Sequence, residues 1–244
     1  MPGSIEAQGP PPLLERVARA IAPDIPVEPG HGAAAIDEDV HRLDRLLGEQ
    51  QERQVMRLWT NSACLVTTRR FAAMRDFDDA AVQSHARGWP VFVRRSGGTT
   101  VVHRPGMLNA SRFDIWRSDE IGVVDRFRRF ADDLAGSLRS LGFSAATGAI
   151  ARSHCDGRFN IIVDGRKIAG TASLFRQRQG WSGLLSHATI WVEGDVRADI
   201  SAVTRFECNL GLKPDYDADA HANLVGKQRD HSRLSSRTVA SCSA

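Results

Sequence analysis

Cysteine is scarce in this chain and its placement is uninformative for metal or redox work. Four cysteines (Cys64, Cys155, Cys208, Cys242) are scattered over 244 residues, and no two form a Cys-x-x-Cys pair. That spacing argues against a zinc knuckle or a thioredoxin-type motif, and reduced thiols in a cytoplasmic protein are the simplest reading. No apolar run approaches the roughly 20 residues that span a bilayer. Met1 to Pro12 lacks the basic start and apolar core of a secretory signal. No tract of five basic residues occurs and the net charge is only +3, so nothing calls for nucleic acid. There is no internal repeat and no long linker. What is present, 42% hydrophobic and 25% charged residues, suffices to bury one large core or two small ones.

Pro10-Pro11-Pro12, Pro23, Pro26 and Pro29 make residues 1–33 a mobile or loosely docked extension, with a short helix possible over Leu13–Ala22. Ile36, Val40, Leu43 and Leu47 predict a helix running to about Met56. Arg57–Thr68 reads as strand, Asp78–Arg87 as a short helix closed by Gly88, and Val91–Val93, Thr99–His103 and Leu108–Trp116 as further strands. A long amphipathic helix is predicted from Ile121 to Leu141, and a last one through Ile200, Val203, Phe206 and Leu210. Strands flank Asp164-Gly165, and another covers Ala188–Val192. Beyond Asp219 the chain turns polar, and 225–244 reads as a tail, which leaves 34–224 as the folded domain. Strands and helices mix without strict βαβ alternation, which predicts an α+β fold.

The richest stretch is Cys155–Gly170. Asp164-Gly165 between two apolar runs is a strong two-residue hairpin signal. It places Lys167 on the returning strand among Ile168, Ala169 and Gly170. A buried ammonium is costly unless paired, so Lys167 calls for an anionic partner from protein or ligand; the plain alternative is a lysine snorkelling to the sheet edge. Cys155, among Ser153, His154, Asp156, Gly157 and Arg158, sits in polar, loop-like company that favours a nucleophilic thiol over a packing residue. Cys64 and Cys208 look like packing residues.

Two other segments could carry chemistry. In Arg94-Arg95-Ser96-Gly97-Gly98-Thr99, the glycines let backbone approach a ligand and the arginines can neutralise an anion; a plain Gly-Gly hairpin is the equal alternative. His103, Asn109 and His187 stand at strand ends or within apolar strands, where structural roles compete with ligand contact.

Together and in order, these segments resemble the biotin/lipoate protein ligase family, nearest to lipoate–protein ligase A and its octanoyltransferase relatives. The carrying residues are Arg94–Thr99, His103 with Pro105-Gly106 and Leu108-Asn109, Gly165–Gly170, and His187-Ala188-Thr189. The resemblance implies a mixed, largely antiparallel sheet flanked by helices, as in class II synthetases and biotin ligases. It implies that Lys167 touches the acyl carbonyl or acyl-adenylate, and that Arg94, Arg95, Ser96, Gly97, Gly98, Thr99, His103, Asn109, Gly170 and His187 line the acyl and adenylate pocket, with no metal ligand among them. The implied partner is a lipoyl domain or a glycine-cleavage H-type carrier, without nucleic acid or membrane.

Within the family two chemistries are implied. One passes an octanoyl or lipoyl group through a cysteine thioester, and the loop holding Cys155 is similar to the one that bears that cysteine. The other activates lipoate with ATP and Mg. Here Thr99 replaces the ligases' third glycine, Thr68-Arg69-Arg70 stands where ligases carry Gly-Arg, and little length remains for their accessory domain. These departures favour Cys155 acyl transfer over ATP-dependent ligation, with a non-catalytic carrier-binding module as third reading.

Overall fold

The computed structural model describes residues 12–117 and 122–228. The chain opens with α1 (Pro12–Ile21), β1 (Val27–Glu28) and α2 (Gly32–Gly48), followed by β2 (Arg53–Trp59), β3 (Cys64–Thr68), α3 (Arg69–Ala72), α4 (Phe77–Ala86), β4 (Val91–Arg94) and β5 (Val101–His103). Next come β6 (Met107–Arg117), α5 (Val123–Ser140), β7 (Ala145–Gly148), β8 (Asn160–Val163), β9 (Arg166–Arg178), β10 (Trp181–Trp191) and α6 (Val196–Asn209). The main sheet has the order β1-β2-β6-β10-β9-β8-β7, antiparallel except for the β1/β2 edge, and a small sheet runs β4-β3-β5. This is the α+β architecture expected, and its large, mostly antiparallel sheet is flanked by helices.

Alternation along β6 sorts the layers. Leu108 and Ala110 face a core shared with α1 and α5, whereas Phe113 and Ile115 pack with Leu43 and Leu47 of α2. Two tight hairpins set the register of β8, β9 and β10. Asp164-Gly165 has φ of 47° and 71°, and Gln179-Gly180 has 51° and 78°, the double positive φ of a two-residue turn that matches strand twist.

Several expectations are corrected. Residues 12–28 are not a loose extension. Leu13, Leu14, Val17 and Ala18 of α1 are buried against Phe130, Ala131 and Leu134 of α5, and β1 adds a strand to the main sheet. Pro12 at the first helical position fits because that N–H needs no helical partner. The helix predicted to Met56 ends at Gly48, where Gln50 takes φ 51° and turns the chain into β2. The strand predicted over Arg57–Thr68 is broken at residues 60–63. Cys208 is exposed rather than packed. The start of the predicted polar tail is also part of the fold: Val225 donates its N–H to the Val192 carbonyl, and Lys227 is buried beside Asp164. Residues 1–11, 118–121 (with Ile121) and 229–244 (with Cys242) lie outside the described residues. No helix among the described residues is long and apolar enough to cross a membrane.

Candidate active site

Lys167 is fully buried, not snorkelling. Its ammonium donates to the carbonyl of His154 and, at 3.0 Å, to that of Cys155. No carboxylate stands within ion-pair distance of it among the described residues, so the anionic partner expected from the protein is replaced by two backbone oxygens. Desolvation lowers the lysine to about 8, against weak support from Cys155 and Asp156. An ammonium has three N–H donors, and these two bonds leave one for another acceptor.

Cys155 adopts φ 50°, a left-handed conformation uncommon outside glycine. Asn160 Nδ2 holds its carbonyl at 2.8 Å. Gly98 lies against its sulfur, and with φ 104° this glycine also needs the backbone freedom of its type. Arg94 sits beneath both. It is buried, and its guanidinium donates to the carbonyls of Val66 (2.8 Å), Gly97 (2.9 Å) and Thr99 (2.7 Å). Arg94 therefore shapes the glycine loop from below. Burial lowers its pKa and the nearby Cys155 opposes that shift. Two buried cations thus flank one thiol. Cys64, by contrast, is pushed up to about 12 by burial and is suited to packing alone.

A cleft of about 760 Å³ opens above this thiol, bordered by Thr68, Arg69, Arg70, Arg95, the glycine loop and Cys155. Arg69, Arg70 and Arg95 are exposed. On the inner side of Cys155 a narrow slot begins, walled by Arg94, Gly170, Ala172, His187 and Thr189. This cavity is about 20 Å³; a second, of about 30 Å³, shares its Arg94, His187 and Thr189 wall and reaches past His103 to apolar Ile36, Val40, Trp59, Val66, Leu174 and Leu185. Cys155 belongs to the lining of both cleft and slot.

The strand-borne candidates have structural as well as lining roles. His187 Nε2 meets Ser96 Oγ at 2.8 Å, tying the glycine loop to β10. Thr189 Oγ1 donates to Asn109 Oδ1 at 2.8 Å and so accepts from His103 Nε2 at 3.2 Å, while His103 Nδ1 accepts from Asn61 Nδ2 at 3.3 Å. This chain of bonds needs a neutral imidazole. Desolvation, with the Arg94 charge adding to it, takes both His103 and His187 to about 3, which removes them as bases. Asn109 braces Thr189 and does not line the cleft or the slot.

Sequence reasoning missed three residues here. His221 and Tyr216 come from the segment after α6, and Glu207 comes from α6 itself. Glu207 is buried, accepts from the Thr100 N–H (3.1 Å) and the Tyr216 hydroxyl (2.7 Å), and has its carboxyl pushed up by desolvation. A charged residue on an otherwise apolar helix face was the available signal. His221 contacts His154, one residue before the thiol.

The lipoyl protein ligase A/B catalytic domain matches residues 33–210. An octanoyl-GcvH:protein N-octanoyltransferase of Kyrpidia tusciae is 36% identical over 171 residues, covering 65% of this chain and 57% of that protein. Its namesake in Geobacillus kaustophilus is 27% identical over 191 residues, covering 78% of this chain and 65% of the relative. The chain therefore spans less than two thirds of the length of either relative. A solved lipoate-protein ligase A bound with ATP shares the fold at TM-score 0.64 and 22% identity, over 83% of this chain and 75% of that one. The matched span takes in the glycine loop, Cys155, Lys167 and His187 together, and the chain belongs to the lipoyl protein ligase A/B catalytic-domain family.

Proposed function

We propose that this protein transfers an octanoyl or lipoyl group to a lysine of a lipoyl or glycine-cleavage H-type carrier domain, through a thioester on Cys155. The observation that carries this reading is the position of Cys155. Its sulfur stands where the open cleft meets the apolar slot, between the buried cations Arg94 and Lys167. The acyl chain enters along these two small cavities, which widen to take it, and burial of its methylenes contributes roughly 0.8 kcal/mol each. Sγ attacks the donor's acyl carbon. A C–S bond forms, the bond to the donor's nitrogen or sulfur breaks, and the proton lost by the thiol ends on the departing atom. In the second step the neutral amine of the acceptor lysine attacks the thioester, the C–S bond breaks, and the amine's proton leaves to solvent. The free N–H of Lys167 donates to the oxygen that becomes negative in each step, an interaction typically worth about 3 kcal/mol. Division into two acyl transfers is the gain of a covalent route.

The exposed arginines at the cleft rim suit an acidic carrier surface. The three described cysteines are unpaired, in keeping with the cytoplasmic setting this reading assumes. The cleft also supports a second reading. Its volume and its Arg69, Arg70 and Arg95 border suit a nucleotide polyphosphate, which would make Lys167 the partner of a lipoyl-adenylate with ATP and Mg.

Incubation with an octanoylated carrier and no ATP, followed by intact-mass analysis, should show an octanoyl adduct that disappears in Cys155→Ser. Full activity of Cys155→Ser would overturn the thioester route, and lipoate-dependent release of pyrophosphate would establish the second reading.

A further inference from the structure

The segment that follows α6 lies outside the matched family span of residues 33–210, yet it grips the loop that bears the thiol. The Asp217 N–H donates to the Arg152 carbonyl at 2.8 Å. His221 Nδ1 lies 2.9 Å from the Asp217 carbonyl, which can only accept, so Nδ1 carries the proton and Nε2 is an acceptor. Two donors converge on that Nε2: the backbone N–H of His154 at 3.2 Å and His154 Nδ1 at 3.0 Å. The carbonyl of the same His154 accepts from Lys167. The backbone of His221 also lies alongside Lys167, and the Ala222 N–H donates to the Lys167 carbonyl at 3.0 Å. Trp191 and Tyr216 pack edge-on against the histidine pair and keep water from it.

We propose that His221 is a positioning residue: its neutral Nε2, with one lone pair shared between two N–H donors, fixes His154, and through it holds the Cys155 sulfur and the Lys167 ammonium in one geometry. The need for such a device is visible in the loop. Arg152 and Cys155 both sit at positive φ, 60° and 50°, a conformation that persists only where surrounding structure imposes it. With the His221 acceptor gone, the buried His154 N–H and ring N–H lose their partner, and the loop can relax away from Arg94 and Lys167. The role assigned to His221 rests on the reading that Cys155 is the working nucleophile, and its test uses a readout that needs no acyl transfer.

The test compares His221→Leu, which has no acceptor, with His221→Gln, whose Oε1 stands near the Nε2 position. Both are made in a Cys208→Ser, Cys242→Ser background, and alkylation of Cys155 by iodoacetamide is followed at neutral pH. His221→Leu should slow alkylation about tenfold because the thiol no longer faces both cations, and His221→Gln should recover most of the rate. An unchanged rate in His221→Leu, or equal loss in both variants, would overturn the proposal. Should His221→Leu fail to melt cooperatively, the native protein decides. Nitrogen-15 spectra should show both His221 and His154 protonated at Nδ1, and a proton on His221 Nε2 would overturn it. Loss of the thioester route itself appears separately, as full acyl transfer by Cys155→Ser.

Discussion

A methyl group placed on Gly98 would come within 2.8 Å of Cys155 Sγ and 2.9 Å of an Arg94 Nη atom. The glycine loop is therefore shaped around the thiol as much as around a ligand. Since Gly98 also holds φ 104°, Gly98→Ala combines backbone strain with a clash against the sulfur. It should lower octanoyl transfer by about a hundredfold while costing about 1–3 kcal/mol of stability, read by thiol alkylation and by urea unfolding. Wild-type alkylation in Gly98→Ala would show that the close approach is not needed. Gly97 has open space around its α-carbon, so Gly97→Ala serves as control.

Lys167 sets a pH limit. Burial brings it to about 8, so the charged form, which in the proposed mechanism donates to the acyl oxygen, is depleted as pH rises through 8. Formation of the acyl-enzyme, followed alone so that the acceptor amine does not contribute, should show a descending limb near that pH. Lys167→Met should lack the limb and run about 10²–10³-fold slower. A rate that keeps climbing to pH 10 would remove the ammonium from the mechanism.

Acid should unfold this protein early. His103 and His187 are held near 3, His221 near 4, and His154 well below its ordinary value, all mainly by desolvation. In the unfolded chain these four titrate near 6.5, so below that pH the unfolded state binds protons the native state refuses, and stability falls as pH drops. At roughly 1.4 kcal/mol per proton per pH unit, four such groups erode about 5 kcal/mol per unit between pH 6 and 4. Urea midpoints that stay flat from pH 6.5 to 4 would contradict the neutral histidine pair.

The docked first helix makes a separate prediction. Leu14 is 1% exposed in the core formed with α5. Leu14→Ala should cost about 2–5 kcal/mol, whereas a surface extension would tolerate it at no cost. Thermal unfolding of the variant distinguishes the two.

The parts of the site that were readable in the chain are those with local signatures. Asp164-Gly165 announced its hairpin and put Lys167 on the return strand, and the polar company of Cys155 marked it off from Cys64. Gln179-Gly180 forms the same kind of turn but lacks the Asn or Asp that signals one, so β9 and β10 proved longer than expected. The prolines around α1 masked an apolar face whose partner, α5, lies more than a hundred residues away. His221 was the least visible, because its meaning depends on a lone pair directed at His154, sixty-seven residues earlier. Asn109 and His103 carried polar side chains on buried strands; hydrogen bonds through Thr189 join them, while His103 lines the slot and Asn109 Nδ2 has no partner among the described residues.

The order of the grip along the chain has a consequence for synthesis. Cys155, in the loop before β8, and Lys167, on β9, are made well before Asp217 and His221 exist. A nascent protein carrying everything through α6 already owns its thiol and its ammonium but not His221. On the role proposed for His221, alignment of these groups waits for residue 221, and a chain cut after residue 210 would hold them without it.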